Sequence, residues 1–252
     1  MKVCVLMFYD DKIKSYGEIN YEINKKYCEK YNLEIIVSNK KKYEHRHSAW
    51  ERLPLILDNI SSYDYVIWVD ADAFFYNDAN NIIDIINKNI NVNFIFSKDI
   101  GNENINTGFF IVKNSTYSID FLKRWAYDEE LYKNNPYPHW WDQGVLINMF
   151  NNNILDIEQN SIKMDYGVLQ HFAENDKLIN QTYIFHLAGR SNFIRYEVSK
   201  NYIDKLNGVF DDKIKQMIEK RNDKIKQMIE KRNNKIKKIE SYLIKLIKLK
   251  KR

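Results

Sequence analysis

Asp70 and Asp72 stand one residue apart at the end of the apolar run Y-V-I-W-V, residues 65–69. Two carboxylates so close repel each other unless positive charge lies between them, and a hard divalent cation is the usual solution. Mg2+ or Mn2+ held by one or two carboxylates keeps coordination positions free, typically for substrate phosphate oxygens. With 19 aspartates in 252 residues, about one Asp-x-Asp is expected by chance, so the position of the pair carries the weight. On strand alternation the two acids share a face while Ala71 turns away. They would sit at the carboxyl end of a buried strand, where α/β sheets bind ligands. The plainer alternative is a strand ending in solvated aspartates that cap the next helix.

Such a pair needs a scaffold. Apolar runs at 3–8, 33–37, 65–69, 93–97, 109–112, 154–157 and 183–186 read as strands. Helical spacing falls at 17–31, 50–60, 82–88, about 117–127 and about 142–150, with Ser48 and Glu51 spaced as a capping box. Strands apolar on both faces that alternate with helices predict an α/β fold with a mostly parallel sheet flanked by helices.

Five blocks, in order, resemble glycosyltransferase family 34, the eukaryotic α-galactosyl-, α-xylosyl- and α-mannosyltransferases of GT-A fold. They are H-S-A-W-E-R-L-P-L-I-L at 47–57, Y-V-I-W-V-D-A-D-A-F-F at 65–75, N-T-G-F-F-I-V-K-N-S at 106–115, W-D-Q-G-V-L at 141–146 and H-L-A-G at 186–189. The resemblance covers roughly residues 1–195. It implies a GT-A type, Rossmann-like sheet and a metal site of Asp70, Asp72 and His186 for Mn2+ or Mg2+; an imidazole ligand tilts the choice toward manganese. The donor, a nucleotide sugar with UDP favoured over GDP-mannose, would lie along Asp70, Ala71 and Asp72, with Asn106, Thr107 and Gly108 lining the sugar. Asp142 and Gln143 would face the anomeric carbon, with plain N-capping as the alternative for Asp142. Arg190, after Gly189, would neutralise the leaving diphosphate. His139, Trp140 and Trp141 offer stacking surfaces for an acceptor, although large aromatics more often pack. One block departs from the pattern: where the family usually has Trp-x-Lys, this chain has Trp50-Glu51-Arg52, and a guanidinium fork is not an ammonium point charge.

The C-terminal segment is different in kind. D-K-I-K-Q-M-I-E-K-R-N at 212–222 repeats at 223–233 and is followed by N-K-I-K-K-I-E. Eleven residues make three turns at about 3.67 residues per turn, so Ile214, Met217, Ile218, Ile225, Met228, Ile229, Ile236 and Ile239 hold one stripe, continued by Leu243, Leu246 and Ile247. A long basic amphipathic helix over 208–252 is expected, beside a transferase domain over 1–207. Pairing as a coiled coil or lying on an acidic membrane surface are its two readings. Residues 211–252 carry 16 Lys and Arg against 6 Asp and Glu, a net +10, and the rest 23 against 28, a net −5. A mildly acidic body is a poor partner for nucleic acid. Two cysteines make no disulfide framework. Neither a signal peptide nor a run of about 18 apolar residues is present, so a cytoplasmic protein, peripheral on a membrane at most, is expected.

The function expected is metal-dependent transfer of a galactose-, xylose- or mannose-class sugar, with retention, to a hydroxyl on a glycan, protein or lipid. Two alternatives stand beside it. One is a metal-dependent phosphatase or phosphotransferase, although Phe74 occupies the place where such enzymes usually carry Thr or Val. The other is a non-catalytic assembly or surface-binding protein acting through its helical tail.

Overall fold

Along each central strand, alternate side chains enter two different cores, one on either face of a six-stranded sheet. In a computed structural model, which describes residues 1–76, 80–101, 103–172, 182–207, 220–233 and 235–236, the first half of the chain runs β1 (Val3–Phe8), α1 (Lys14–Lys30), β2 (Glu34–Ser38), α2 (Arg52–Asn59), β3 (Tyr65–Val69), β4 (Ala73–Phe75), α3 (Ile82–Lys88) and β5 (Phe94–Lys98). It continues with β6 (Ile105–Lys113), α4 (Thr116–Tyr127), α5 (Glu129–Lys133), α6 (Trp141–Asn151), α7 (Ile157–Asn160), β7 (Ser161–Met164), β8 (Gln170–His171), β9 (Ile184–His186) and α8 (Asn192–Leu206). The sheet order is β2-β1-β3-β6-β5-β7, and only β6 runs against its neighbours. The expected mostly parallel, helix-flanked α/β architecture is what forms.

Cys4, Leu6 and Phe8 of β1 pack with Trp68 of β3, Phe110 of β6 and the helices α2, α4 and α6, through Leu53, Phe121, Trp125 and Leu146. Val3, Val5 and Met7 enter the opposite core with Ile67, Ile111, Tyr27 of α1 and Ile86 of α3. A fully buried aliphatic or aromatic side chain stabilises by about 1.5–3 kcal/mol, so strands buried on both faces anchor whatever is mounted at their ends. A second, three-stranded sheet, β4-β9-β8, packs Phe74, Phe185 and Leu187 against Ile203 of α8. Cys4 and Cys28 are free and buried.

Four expectations are corrected. The run 154–157 is not a strand: Asn153, Leu155 and Asp156 adopt left-handed φ of 43°, 56° and 54°, and Ile157 starts α7. Asn and Asp tolerate that region better than most residues, and the strand forms later, where β7 joins β5 in parallel. Strand β6 starts at Ile105, four residues before the apolar run at 109–112 suggested, and so takes in Asn106, Thr107 and Gly108. Ser48 is not the capping residue. His47 is, its Nδ1 accepting from Ala49 N at 3.2 Å, while Ser48 Oγ donates to Asp10 and Glu51 accepts from the backbone N–H groups of Lys42 and Tyr43. Gly17 lies within α1, which starts at Lys14, rather than at its start, and a Cβ there would come 2.7 Å from the Tyr9 ring.

The chain divides into two compact units, Met1–Ile203 and Asp204–Arg252. In the second, residues 220–233 and 235–236 are helical, and Ile225, Met228, Ile229 and Ile236 of the apolar stripe are exposed. Its first repeat, apart from Lys220, Arg221 and Asn222, and the run from 237 to 252 lie outside the described residues. Among the described residues, no helix is long and apolar enough to cross a membrane.

Candidate active site

Strand β3 ends at Val69, so Asp70 and Asp72 are placed by a turn rather than by strand alternation. Ala73 N donates to Asp70 O at 2.9 Å, closing that turn between β3 and β4. Three neighbours fix its backbone. Asp70 N donates to Gly108 O of β6 at 2.8 Å, Leu187 N, just after β9, donates to Asp72 O at 2.8 Å, and Asn20 Nδ2 of α1 donates to Ala71 O at 2.8 Å. Asn24, one helical turn on, donates to Ala73 O and accepts from Phe75 N. Both asparagines are fully buried. Their amides are the polar part of an otherwise apolar helix face, present because the turn's backbone groups need partners away from water.

His186 ends β9 and meets the pair. Its Nε2 lies 3.3 Å from Asp72 Oδ1 and its Nδ1 3.1 Å from Gln170 Oε1 of β8. Ligand atoms of Asp70, Asp72 and His186 all lie within 4.8 Å of one another. Two carboxylates and an imidazole with a buried amide behind it suit a divalent transition metal, so the donor set fits the cation that the paired acids imply. Gly108 faces the imidazole: a Cβ at that position would sit 2.0 Å from His186 Cε1. The glycine is there for the histidine.

Cations surround the acids. Arg195 of α8 places Nη2 2.6 Å from Asp72 Oδ2 and donates through Nη1 to Tyr16 Oη at 3.1 Å. Burial opposes ionisation of Asp72, but His186 and Arg195 outweigh it and hold the carboxyl below the usual range. Arg52, 4 % exposed, is the other hub. Its Nη2 lies 3.1 Å from Asp70 Oδ1, Nη1 donates to Thr107 O, and Nε donates to Ala49 O at 2.9 Å while lying 3.2 Å from Asp142 Oδ2. Trp68 Nε1 donates to Asp70 Oδ1 at 2.7 Å. One fork thus ties α2, β3, β6 and α6 together, which a lysine could not do.

Asp142 is 1 % exposed. Burial pushes its carboxyl up to about 7, with Arg52 pulling down and Asp70 pushing up. The contact with Arg52 has ion-pair distance but not hydrogen-bond direction, since Asp142 Oδ2 has no hydrogen-bond partner. Gln143 Oε1 accepts from Thr107 N at 3.0 Å and from its hydroxyl at 3.3 Å, and Asn106 Oδ1 accepts from Gly108 N.

These groups face one cleft of about 720 Å3. Of the residues singled out in the sequence, Asp70, Ala71, Asp72, Asn106, Thr107, Gly108, Trp140, Trp141, Asp142, Gln143, His186 and Gly189 line it. Arg190 and His139 do not; both are exposed on the surface. Gly189 is at φ +69°, which favours glycine. Arg195, Tyr16, Asp10 and His47 also line the cleft and were missed, because nothing in the local sequence tells a cleft-facing residue of α1 or α8 from a solvated one. Arg52 was seen but given no role, since its partners lie 18, 55 and 90 positions away in the chain.

A family model described as "Protein of unknown function, DUF273" matches residues 24–231. No curated protein matches the sequence. Among solved structures, the chain is similar to a glycosyltransferase involved in the glycosylation of the major capsid of PBCV-1, with TM-score 0.66 and 17% identity over 79% of this chain and 99% of that one. It is similar to the apo form of the glycosyltransferase GlyE of Streptococcus pneumoniae TIGR4, at 0.54 and 13% over 85% and 64%. It also resembles the apo structure of the bifunctional glycosyltransferase WbbM, at 0.51 and 12% over 79% of this chain and 49% of that one. The fold is the GT-A type of these neighbours.

Proposed function

The chain belongs to the DUF273 family, and from the geometry of its cleft we propose that it is a metal-dependent, retaining glycosyltransferase. The donor is a nucleoside diphosphate sugar, UDP-linked in preference to GDP-mannose, with a hexose or pentose to transfer to a hydroxyl. Its kin by motif are the family 34 enzymes. The observation that carries the proposal is Asp70, Asp72 and His186, converging within 4.8 Å at the carboxyl edge of a mostly parallel sheet and opening on a cleft of about 720 Å3. Charged groups in a concave site of that size are the expected setting for a polar, phosphate-bearing ligand.

Asp70, Asp72 and His186 would hold Mn2+ or Mg2+, which when bound neutralises charge growing on the leaving diphosphate. The residues of the chain do the rest. Arg195 supplies a fixed cation beside Asp72, the place in the site where negative charge accumulates as the glycosidic bond opens. We assign that role to it rather than to Arg190, which does not line the cleft. Arg52 pairs with Asp70 and orients it together with Trp68. Asp142 lines the cleft but is 1 % exposed and lies 3.2 Å from Arg52, so we assign it to positioning Arg52, and leave the sugar face opposite the diphosphate to Gln143. Residues 1–207 carry this chemistry, and the eleven-residue repeats of 208–252 serve self-association in preference to binding an acidic membrane surface.

The test is hydrolysis or transfer from UDP-glucose, UDP-galactose and UDP-xylose with Mn2+, beside p-nitrophenyl phosphate. Turnover of a UDP-sugar, abolished in Asp72→Asn and with Arg195→Ala but not Arg190→Ala raising the donor KM, is the expected result. Phosphate-ester cleavage without sugar turnover, or full activity of Asp72→Asn, refutes the proposal.

A further inference from the structure

Two tryptophans stand exposed at the rim of the cleft. Trp140 and Trp141 are 43% and 44% exposed, although burial of an indole is worth more than that of most side chains. Both line the cleft, and both are held rather than loose. Trp140 stacks on Tyr137 at 5.3 Å and 16°, and Trp141 on His47 at 3.7 Å and 5°. Asn135 Nδ2 donates to Trp141 O at 3.1 Å and to Tyr137 O at 3.3 Å, and Asn135 Oδ1 accepts from Tyr137 N. Gly144 lets this loop lie against α6, since a Cβ there would come 2.3 Å from Tyr137 O.

The backbone carries strain at the same place. Trp141 has φ 48° and ψ −121°, a conformation that costs a bulky residue on the order of 1–3 kcal/mol and persists where the surroundings enforce it. A chain that twists its backbone and still leaves the indole in water is not maximising its own packing. Polar groups flank the ledge. Ser48 donates to Asp10, and both line the cleft with Gln143. His47 Nδ1 accepts from Ala49 N, which leaves Nε2 as the protonated nitrogen of the neutral ring. Its pKa is lowered by partial burial, then by Lys41 and Arg52, so the ring offers one N–H donor.

We propose that the Trp140–Trp141 ledge is the acceptor subsite, and that the acceptor is a neutral saccharide rather than a peptide or a lipid chain. This rests on the glycosyltransferase reading and adds to it the class of acceptor. A pyranose has an apolar C–H face bounded by hydroxyls: that face suits the side of the Trp141 indole that His47 leaves uncovered and the Trp140 indole beside it, and its hydroxyls suit the polar groups of Ser48, Asp10 and Gln143 that line the same cleft. An acyl chain would need a continuous apolar channel, and the cleft interrupts its aromatics with Asp10, Lys12, Lys41 and Asp142.

Saturation-transfer NMR on the full chain, with Mg2+ and UDP in the same sample, tests this with maltose, lactose, cellobiose and octyl glucoside as probes. Saturation is expected on the pyranose C–H protons of at least one probe, with affinity lowered at least about tenfold, 1.4 kcal/mol, in Trp140→Ala and in Trp141→Gly, the latter also relieving the strained φ. UDP signals should persist in both variants, which shows that they remain folded. No saturation of any sugar ring, saturation of the octyl chain alone, or unchanged affinity in both variants overturns the proposal. UDP signals without sugar signals sink the subsite and leave the transferase reading standing. Sugar signals, lost in the variants, without UDP signals do the reverse.

Discussion

Substituting Gly108 by alanine tests the site at its tightest point. The added Cβ would lie 2.0 Å from His186 Cε1, against about 3.4 Å or more for ordinary carbon contact, so about 1.4 Å must be found. The strand cannot supply it, because Gly108 O accepts from Asp70 N at 2.8 Å and Gly108 N donates to Asn106. The imidazole must move, although it is 3% exposed and held between Gln170, Asp72 and the edge of Phe172. Overpacking of this kind costs about 1–3 kcal/mol, a fall of roughly 2–12 °C in Tm for a domain of this size. A metal ligand tolerates about 0.2 Å, so Mn2+ affinity, measured by titration calorimetry, should fall at least about 100-fold, the upper end for loss of a supporting partner. His186→Ala should lose the metal without the clash. The double variant Gly108→Ala/His186→Ala should therefore be more stable than Gly108→Ala alone, the non-additivity expected of residues in contact. Unchanged Mn2+ affinity in Gly108→Ala, or no recovery in the double variant, would show that the histidine neither packs on this glycine nor ligates.

Asp142 gives a pH signature. Its carboxyl is raised from 3.8 to about 7, so the native state holds a proton that the unfolded chain releases, and stability falls as pH rises from about 4 to about 7, by about 1.4 kcal/mol per unit and about 4 kcal/mol in all. Asp142→Asn should be closest to the wild type below pH 4 and gain on it through that window in urea melts, then hold level above pH 7; a difference independent of pH would refute the assignment. Arg52→Lys keeps the charge but loses the fork to Asp70 and Thr107, and should destabilise by about 1–3 kcal/mol while weakening Mn2+ binding, whereas wild-type melting and metal affinity would show that charge alone suffices. Removal of residues 208–252 should lower the sedimentation coefficient of the chain from that of an oligomer to that of a monomer, with UDP-sugar turnover retained; monomeric sedimentation of the intact chain and its pelleting with acidic vesicles would transfer the role of the stripe to membranes.

Much of the frame was determined by the sequence alone. The doubly apolar strands at 3–8 and 65–69 could only be buried on both faces, and their alternation with helices requires covered, mostly parallel strands. The Asp70–Asp72 pair, His186 and the glycine beside Thr107 were visible as residue types in order, because local spacing and side-chain chemistry are properties of the chain itself. Tertiary structure decided which of these meet and which others join them. The paired acids owe their placement to a turn held by Gly108, Leu187 and Asn20, three segments far apart in sequence. The buried amides of α1 look like ordinary helix polar residues until the turn's carbonyls face them. Arg195 rather than Arg190 reaches Asp72 because α8, packed through Ile203 against Phe74 and Phe185, carries it there, and a five-residue difference in sequence carries no sign of that. Arg52 gains its meaning only from acceptors on three other elements. Hydrophobic period sets elements, but convergence of charged groups is set by long-range packing, whose partners the sequence does not name.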